Sequence, residues 1–196
     1  TVVTDAERGS VLSLDGDGDA VQIGSLFGSP ADVTLSAWVR IDAPGTTGAE
    51  VISLGDSVIL RVDDVGLGVT GVFYDGSNWE STSSGISLAG TGWRHVAYTM
   101  DDTADVQRLY IDGRLVAETT VSNTVSYSLG SDTFIGAHAN GLSTYDFNGL
   151  IDDARIYSRA LSAEEIAALA AETSAIDTAS VAITVTAVND VPADLY

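Results

Sequence analysis

Three aspartates alternate with glycine in Asp15-Gly16-Asp17-Gly18-Asp19, and two more stand side by side at Asp152-Asp153. Carboxylates spaced two apart around glycines bring several hard oxygens to one turn, the donor set from which calcium takes roughly six to eight contacts. Asp19 alternates with Val21 and Ile23, and Asp152 with Ala154 and Ile156. Period-two alternation therefore turns both carboxylates toward a face that should be buried. Burying either one unpaired is costly, and a shared cation removes the cost for both. A Ca2+ site built from Asp15, Asp17, Asp19 and Asp152, completed by loop carbonyls and water, is the expectation. An ordinary acidic turn is the alternative for Asp15 to Asp19. An EF-hand is excluded, because Ala20 and Leu26 stand where that loop needs glycine and glutamate.

Aromatic residues set among polar ones suit a second chemistry. A sugar stacks its apolar face on a ring while its hydroxyls need paired donors and acceptors. Two stretches offer this: Tyr74, Asp75, Asn78 and Trp79 in one, and His138, Asn140, Ser143, Tyr145 and Asp146 in the other. Both are expected as loops that contact carbohydrate, with plain solvated connections as the alternative. Trp38 and Trp93 lie in apolar patterns and are expected in the core, and His95, between Arg94 and Val96, is expected to be packed or hydrogen-bonded.

Other chemistries find little material. The chain has no cysteine and only two histidines, His95 and His138, which excludes thiolate and imidazole zinc sites. A glycosidase needs two carboxyl groups about 5 to 9 Å apart across the scissile bond. No strand carries Glu-x-Asp-x-Glu, and Asp152 and Asp153 are neighbours that project to opposite faces. No Gly-x-Ser-x-Gly elbow joins a strand to a helix. Glu164 and Glu165 follow Ser162 as a helix cap, so no catalytic residue is assigned. With 28 acidic and 8 basic residues the formal net charge is -20, and every basic residue is arginine. Such a surface repels phosphate backbones and anionic lipid, so nucleic acid and membrane surfaces are excluded as partners and a cation is invited. A merely soluble or salt-adapted surface is the other reading of most of these carboxylates.

Positioning these groups falls to short β-type segments separated by turn clusters. Strands are expected over 11–14, 20–23, 33–41, 50–54, 58–62, 68–74, 94–100, 106–111, 114–120, 131–135 and 149–157, with a tight hairpin at Asp112-Gly113. One short helix is expected over 162–171, capped by Ser162 and Glu165 and stapled by Leu161 and Ile166. The fold class is all-β: an antiparallel two-sheet β-sandwich of jelly-roll type with one short C-terminal helix. The 196 residues fit one domain over 1–172, followed over 173–196 by an extra strand and linker. No run of about 18 apolar residues spans a membrane, and no basic-then-apolar leader opens the sequence, so a secreted protein would be represented here by a fragment.

Several phrases stand in a telling order: Leu12-Ser13-Leu14-Asp15-Gly16, Leu35-Ser36-Ala37-Trp38-Val39, Gly92-Trp93-Arg94-His95-Val96-Ala97, Leu109-Tyr110-Ile111-Asp112-Gly113, Phe134-Ile135-Gly136, and the stretch from Phe147 to Ser162 that contains Leu150-Ile151-Asp152-Asp153-Ala154-Arg155. Together, over roughly 11–171, they resemble the bacterial laminin-G-like/concanavalin A-like family. The resemblance implies a jelly roll with bound calcium, acting as a lectin beside adhesin or glycosidase domains. Val188-Asn189-Asp190-Val191-Pro192 resembles the end of cadherin-like repeats in large bacterial surface adhesins. The two resemblances imply an extracellular, monomeric, glycan-binding module on a bacterial cell surface, with fucose- and glucose-containing glycans as candidate ligands and a structural spacer as the alternative.

Overall fold

The computed structural model describes residues 1–24, 28–41, 48–64, 68–139 and 141–172. The expected strand and linker over 173–196, and Asn140, lie outside the described residues. In chain order the strands are β1 (Val2–Asp5), β2 (Gly9–Asp15), β3 (Val21–Ile23), β4 (Val33–Arg40), β5 (Ala49–Leu54), β6 (Val58–Asp64), β7 (Gly68–Tyr74), β8 (Trp79–Ser83), β9 (Arg94–Asp101), β10 (Val106–Ile111), β11 (Arg114–Thr120), β12 (Thr133–Ile135) and β13 (Asn148–Tyr157). A 3-10 turn (Ser143–Tyr145) precedes β13 and a helix, α1 (Ala163–Ala171), follows it. One sheet has the order β1-β2-β13-β4-β9-β10-β11 and the other β3-β12-β5-β6-β7-β8, and all the strand pairs are antiparallel. The all-β sandwich with a single short helix is thus as expected.

Alternation decides which side chains enter the space between the sheets. Val33, Leu35, Ala37 and Val39 of β4 face Val58, Leu60 and Val62 of β6, with Tyr98, Met100, Phe73 and Phe147 filling the remainder. The residues that alternate with them leave the core for the outer faces: Trp38 and Arg40 from β4, Ile59 and Arg61 from β6. The outer face of the six-stranded sheet becomes the site described below. On the outer face of the seven-stranded sheet, Ile166 of α1 and Leu161 just before the helix cover Ala97 and Tyr110. Its start is the expected capping box: Ser162 accepts from the Glu165 amide, and Glu165 accepts from the Ser162 amide at 2.9 Å.

Three expectations need correcting. β1 and β8 form where no strand was expected, so Trp79 opens a strand and the connection before it shrinks to Asp75–Asn78. Trp38 and Trp93 are not core residues; both rings lie against the Arg8 guanidinium on the outer face, at 4.2 Å and 5.6 Å. Asp152 sits on that same outer face, opposite Trp38. The register of β13 shifts between Asp152 and Arg155, and Asp153 has a φ of 47°. One extra residue at this bulge reverses the alternation, so Ala154 and Ile156 point inward while Asp152 points outward. Its charge is met by Arg8, whose Nε donates to Asp152 at 2.6 Å while Nη2 donates to Asp153 at 2.9 Å.

His95, as expected, is packed: it is buried edge-on against Trp38, with ring centroids 5.6 Å apart. Burial pushes its imidazole down to about 4 from 6.5, against the pull of Asp112. Below pH 6.5 the unfolded chain therefore binds a proton that the folded chain refuses, so stability falls as the pH drops from about 6.5 to about 4. The loss is expected to reach about 3 kcal/mol. Denaturant titrations at pH 7 and pH 4.5 measure it, and His95→Gln should flatten that part of the profile; an equal pH slope in the variant would refute the assignment.

Candidate functional site

On the outer face of the six-stranded sheet lies a cleft of about 550 Å³. Its floor is Ile59, Arg61, Thr70, Val72 and Ser81, the outward members of β6, β7 and β8, and its walls are Trp79, Leu129, Leu142 and Tyr145. Trp79, Leu129 and Leu142 are each close to half exposed, so three of the larger exposed apolar side chains meet here. Trp79 is backed by Tyr74, with ring centroids 5.2 Å apart. That contact fixes the indole on the rim and leaves a face for a ligand.

Beneath the floor a polar network joins four elements. Glu50 and Arg61 are opposite each other on β5 and β6. Glu50 is fully buried, and Arg61 Nη2 donates to its Oε1 at 2.8 Å. The Arg61 guanidinium in turn lies 4.0 Å from the Tyr145 ring centre, and His138 stacks on the same ring at 5.3 Å. Asp56 belongs to the three-residue turn between β5 and β6, where Gly55 and Asp56 have φ of 57° and 56°. A side chain at Gly55 would strike the Gly130 carbonyl oxygen at 2.3 Å, so this turn needs its glycine. The turn aims Asp56 Oδ1 back at three donors: the Ser53 hydroxyl at 3.2 Å, the Ala139 amide at 2.9 Å and His138 Nδ1 at 2.9 Å.

His138 Nε2 lies 3.8 Å from Glu50 Oε1. Burial disfavours its cation, but the Asp56 hydrogen bond and the nearby Glu50 charge outweigh that, and the imidazole sits above its usual range. Burial pushes the Glu50 carboxyl up, while His138 and Arg61 pull it back. Glu50, Asp56 and His138 each present a ligand atom within 4.8 Å of the others, a geometry that a metal ion could occupy. One imidazole with two carboxylates suits a first-row ion such as zinc better than calcium, so the exclusion of an imidazole site from the histidine count alone does not hold here.

The expected calcium ligands are not gathered. Asp15 is level with Asn148 on β13, and Asp152 lies four residues further along that strand, about 13 Å away at strand rise. Asp15 instead accepts from the Asp17 amide at 3.0 Å, and Asp19 is only half-buried. No group formed by Asp15, Asp17, Asp19 and Asp152 brings three ligand atoms within 4.8 Å among the described residues. Arg8 has taken the role assigned to the cation at Asp152.

Of the expected carbohydrate contacts, Trp79, His138 and Tyr145 come from two separate stretches to line one cleft, with Tyr74 behind Trp79. Asp75 is a turn residue whose Oδ1 accepts from the Ser77 and Asn78 amides, at 2.7 Å and 2.6 Å. Asp146 reaches away to the Gly18 amide at 2.9 Å, and Ser143 starts the 3-10 turn without lining the cleft. Glu50, Asp56 and Arg61 were missed. A charge interrupting an apolar strand, as in Val58-Ile59-Leu60-Arg61-Val62, was the signal for an outer face.

The family model described as the concanavalin A-like lectin/glucanases superfamily matches residues 15–167. No curated protein matches by sequence. Among solved structures, domain 4 of AbnA, an extracellular GH43 arabinanase from Geobacillus stearothermophilus in complex with arabinotriose, superposes with a TM-score of 0.71 at 19% identity, covering 87% of this chain and 80% of that one. A heptameric SAP-like pentraxin from Limulus polyphemus gives 0.60 at 14%, covering 81% and 80%. A sialidase CBM40 module from Ruminococcus gnavus bound to α2,3-sialyllactose gives 0.59 at 14%, covering 76% and 98%.

Proposed function

The chain belongs to the concanavalin A-like lectin/glucanase superfamily, and from that premise we propose that it is a carbohydrate-binding module seating a short glycan in the cleft between Trp79 and Tyr145. The observation carrying this reading is the meeting of an exposed, braced indole with a polar floor of Arg61, Asp56, His138, Thr70 and Ser81. The indole offers a stacking face for a pyranose or furanose ring, and the floor offers donors and acceptors for hydroxyls. Binding without hydrolysis is the favoured chemistry. Glu50 is sealed beneath the cleft on Arg61, and Asp56 Oδ1 already accepts three hydrogen bonds. Neither carboxyl is placed to protonate a glycosidic oxygen. The arabinotriose and sialyllactose complexes of similar folds support a glycan as the ligand class.

The same proposal places the module outside a bacterial cell, in a larger surface protein that uses it for attachment. The acidic surface and the repeat-like phrase at Val188–Pro192 support that context. The proposal includes a calcium requirement at the turn from Asp15 to Asp19, where an ion would have to draw these carboxylates and the neighbouring Asp146 together.

A glycan array followed by calorimetry on the best ligand tests the reading. Trp79→Ala is expected to weaken binding by roughly ten- to a hundredfold, the worth of one aromatic anchor. Repeating the titration in chelator tests the calcium clause, which predicts weaker binding and a lower melting temperature. Silence across a broad array would favour a structural spacer, and curves unchanged by chelator would remove the ion.

A further inference from the structure

We infer that the cleft selects uncharged sugars and rejects those carrying a carboxylate, such as uronates and sialic acids. The inference rests on the carbohydrate reading above and goes further by fixing the ligand's charge class.

The first support is the charge of the floor. Two carboxylates, Glu50 and Asp56, stand against one guanidinium, Arg61, and one imidazole, His138. With Glu50 held ionised by its pair with Arg61, the four groups sum to zero with His138 protonated and to minus one without it, so the floor then presents no net positive charge. Arg61 is the one arginine lining the cleft among the described residues, and its guanidinium is engaged by Glu50 at 2.8 Å and by the Tyr145 ring.

The second support is the cost of diverting Arg61. Glu50 is fully buried, and its Oε2 has no hydrogen-bond partner among the described residues. An anionic sugar that drew Arg61 away would leave this carboxylate buried without its main counter-charge, a penalty that cancels the new ion pair. A hydroxyl makes no such demand, since it can donate to Asp56 and accept from Arg61 with their existing bonds intact.

The third support is the approach to the cleft. Asp132 lines the adjoining hollow, and Asp75, in the turn that leads to Trp79, accepts from Asn123 Nδ2 at 2.8 Å. With a net charge of -20 over the whole chain, this field slows and weakens the encounter with anions.

The test titrates arabinotriose, cellotriose, trigalacturonate and α2,3-sialyllactose into the protein at pH 7 and moderate salt. Neutral probes are expected to bind at least about tenfold more tightly than acidic ones. Glu50→Gln, nearly isosteric, releases Arg61 and should narrow or invert that ratio by about tenfold; a melting curve checks that the variant folds. Asp56→Asn raises the floor charge by the same unit with the Glu50–Arg61 pair intact, so it serves as a second variant. Tighter binding of an acidic probe by the unaltered protein, lost in Trp79→Ala, would overturn the inference while upholding the cleft as the sugar site. Acidic binding that appears only with added zinc would put a metal on Glu50, Asp56 and His138 and overturn it as well. No binding of any probe would sink the carbohydrate reading itself.

Discussion

Arg8→Ala is expected to destabilise the fold by about 3 to 5 kcal/mol, the usual cost of removing one partner from a buried ion pair. The Arg8 side chain is 5% exposed, donates to Asp152 at 2.6 Å and to Asp153 at 2.9 Å, and lies between the Trp38 and Trp93 rings. Truncation strands the Asp152 carboxylate, which is only 16% exposed, and opens a gap between two indoles. For a domain of this size the melting temperature should fall by roughly ten degrees. Lysine should restore little, because one ammonium cannot span two carboxylates and lie flat on the indoles. The loss should be the same in calcium and in chelator, since the carboxylates are neutralised by a side chain. Pairing Arg8→Met with Asp152→Leu should cost less than either change alone, because the buried carboxylate goes with its partner while the more exposed Asp153 keeps Arg155 at 3.6 Å. A melting point within two or three degrees of the original in Arg8→Ala would show that solvent reaches Asp152 and that the cluster is only a surface feature.

That cluster also marks where the sequence was hardest to read. Strands with unbroken alternation, such as β4, β9 and β10, were legible almost to the residue, as were the Asp112-Gly113 hairpin, with φ of 48° and 74°, and the capping box of α1. The misplacement of Asp152 came from carrying a period of two through β13, where a single-residue bulge at Asp153 reverses the faces. Nothing in Ile151-Asp152-Asp153-Ala154-Arg155 announces a bulge, and Arg8 lies 144 positions away in the chain. The cleft was half legible. Its aromatic rim was visible in Trp79 and Tyr145, because exposed rings among polar residues have few structural reasons to exist. Its floor was not. Glu50, Asp56 and Arg61 become a site only when β5 and β6 pair in one register and His138 and Tyr145 come to lie against them, and no local pattern encodes that pairing.

Gly71→Ala is expected to cost about 3 kcal/mol or more, beyond the usual range for adding one methyl group to a core. Gly71 has ordinary backbone angles, so the penalty comes from packing alone. A Cβ there would stand 2.0 Å from Cδ2 and 2.3 Å from Cε2 of Tyr98, far inside van der Waals contact. Tyr98 cannot retreat easily, because it is completely buried and its hydroxyl donates to Gln107 Oε1 at 2.9 Å. The strand must move instead, and β7 carries Thr70 and Val72, which floor the cleft, on either side of Gly71. Loss of glycan affinity should therefore accompany the loss of stability. Gly24→Ala is the control, since nothing lies within 4 Å of a Cβ at that position. In a Tyr98→Leu background, which removes the obstructing ring, Gly71→Ala should cost far less than it does alone. Recovery of both stability and binding in that background would place the constraint in the contact between one ring and one strand. A full penalty there would mean that β7 needs glycine for some reason other than the ring pressed against it.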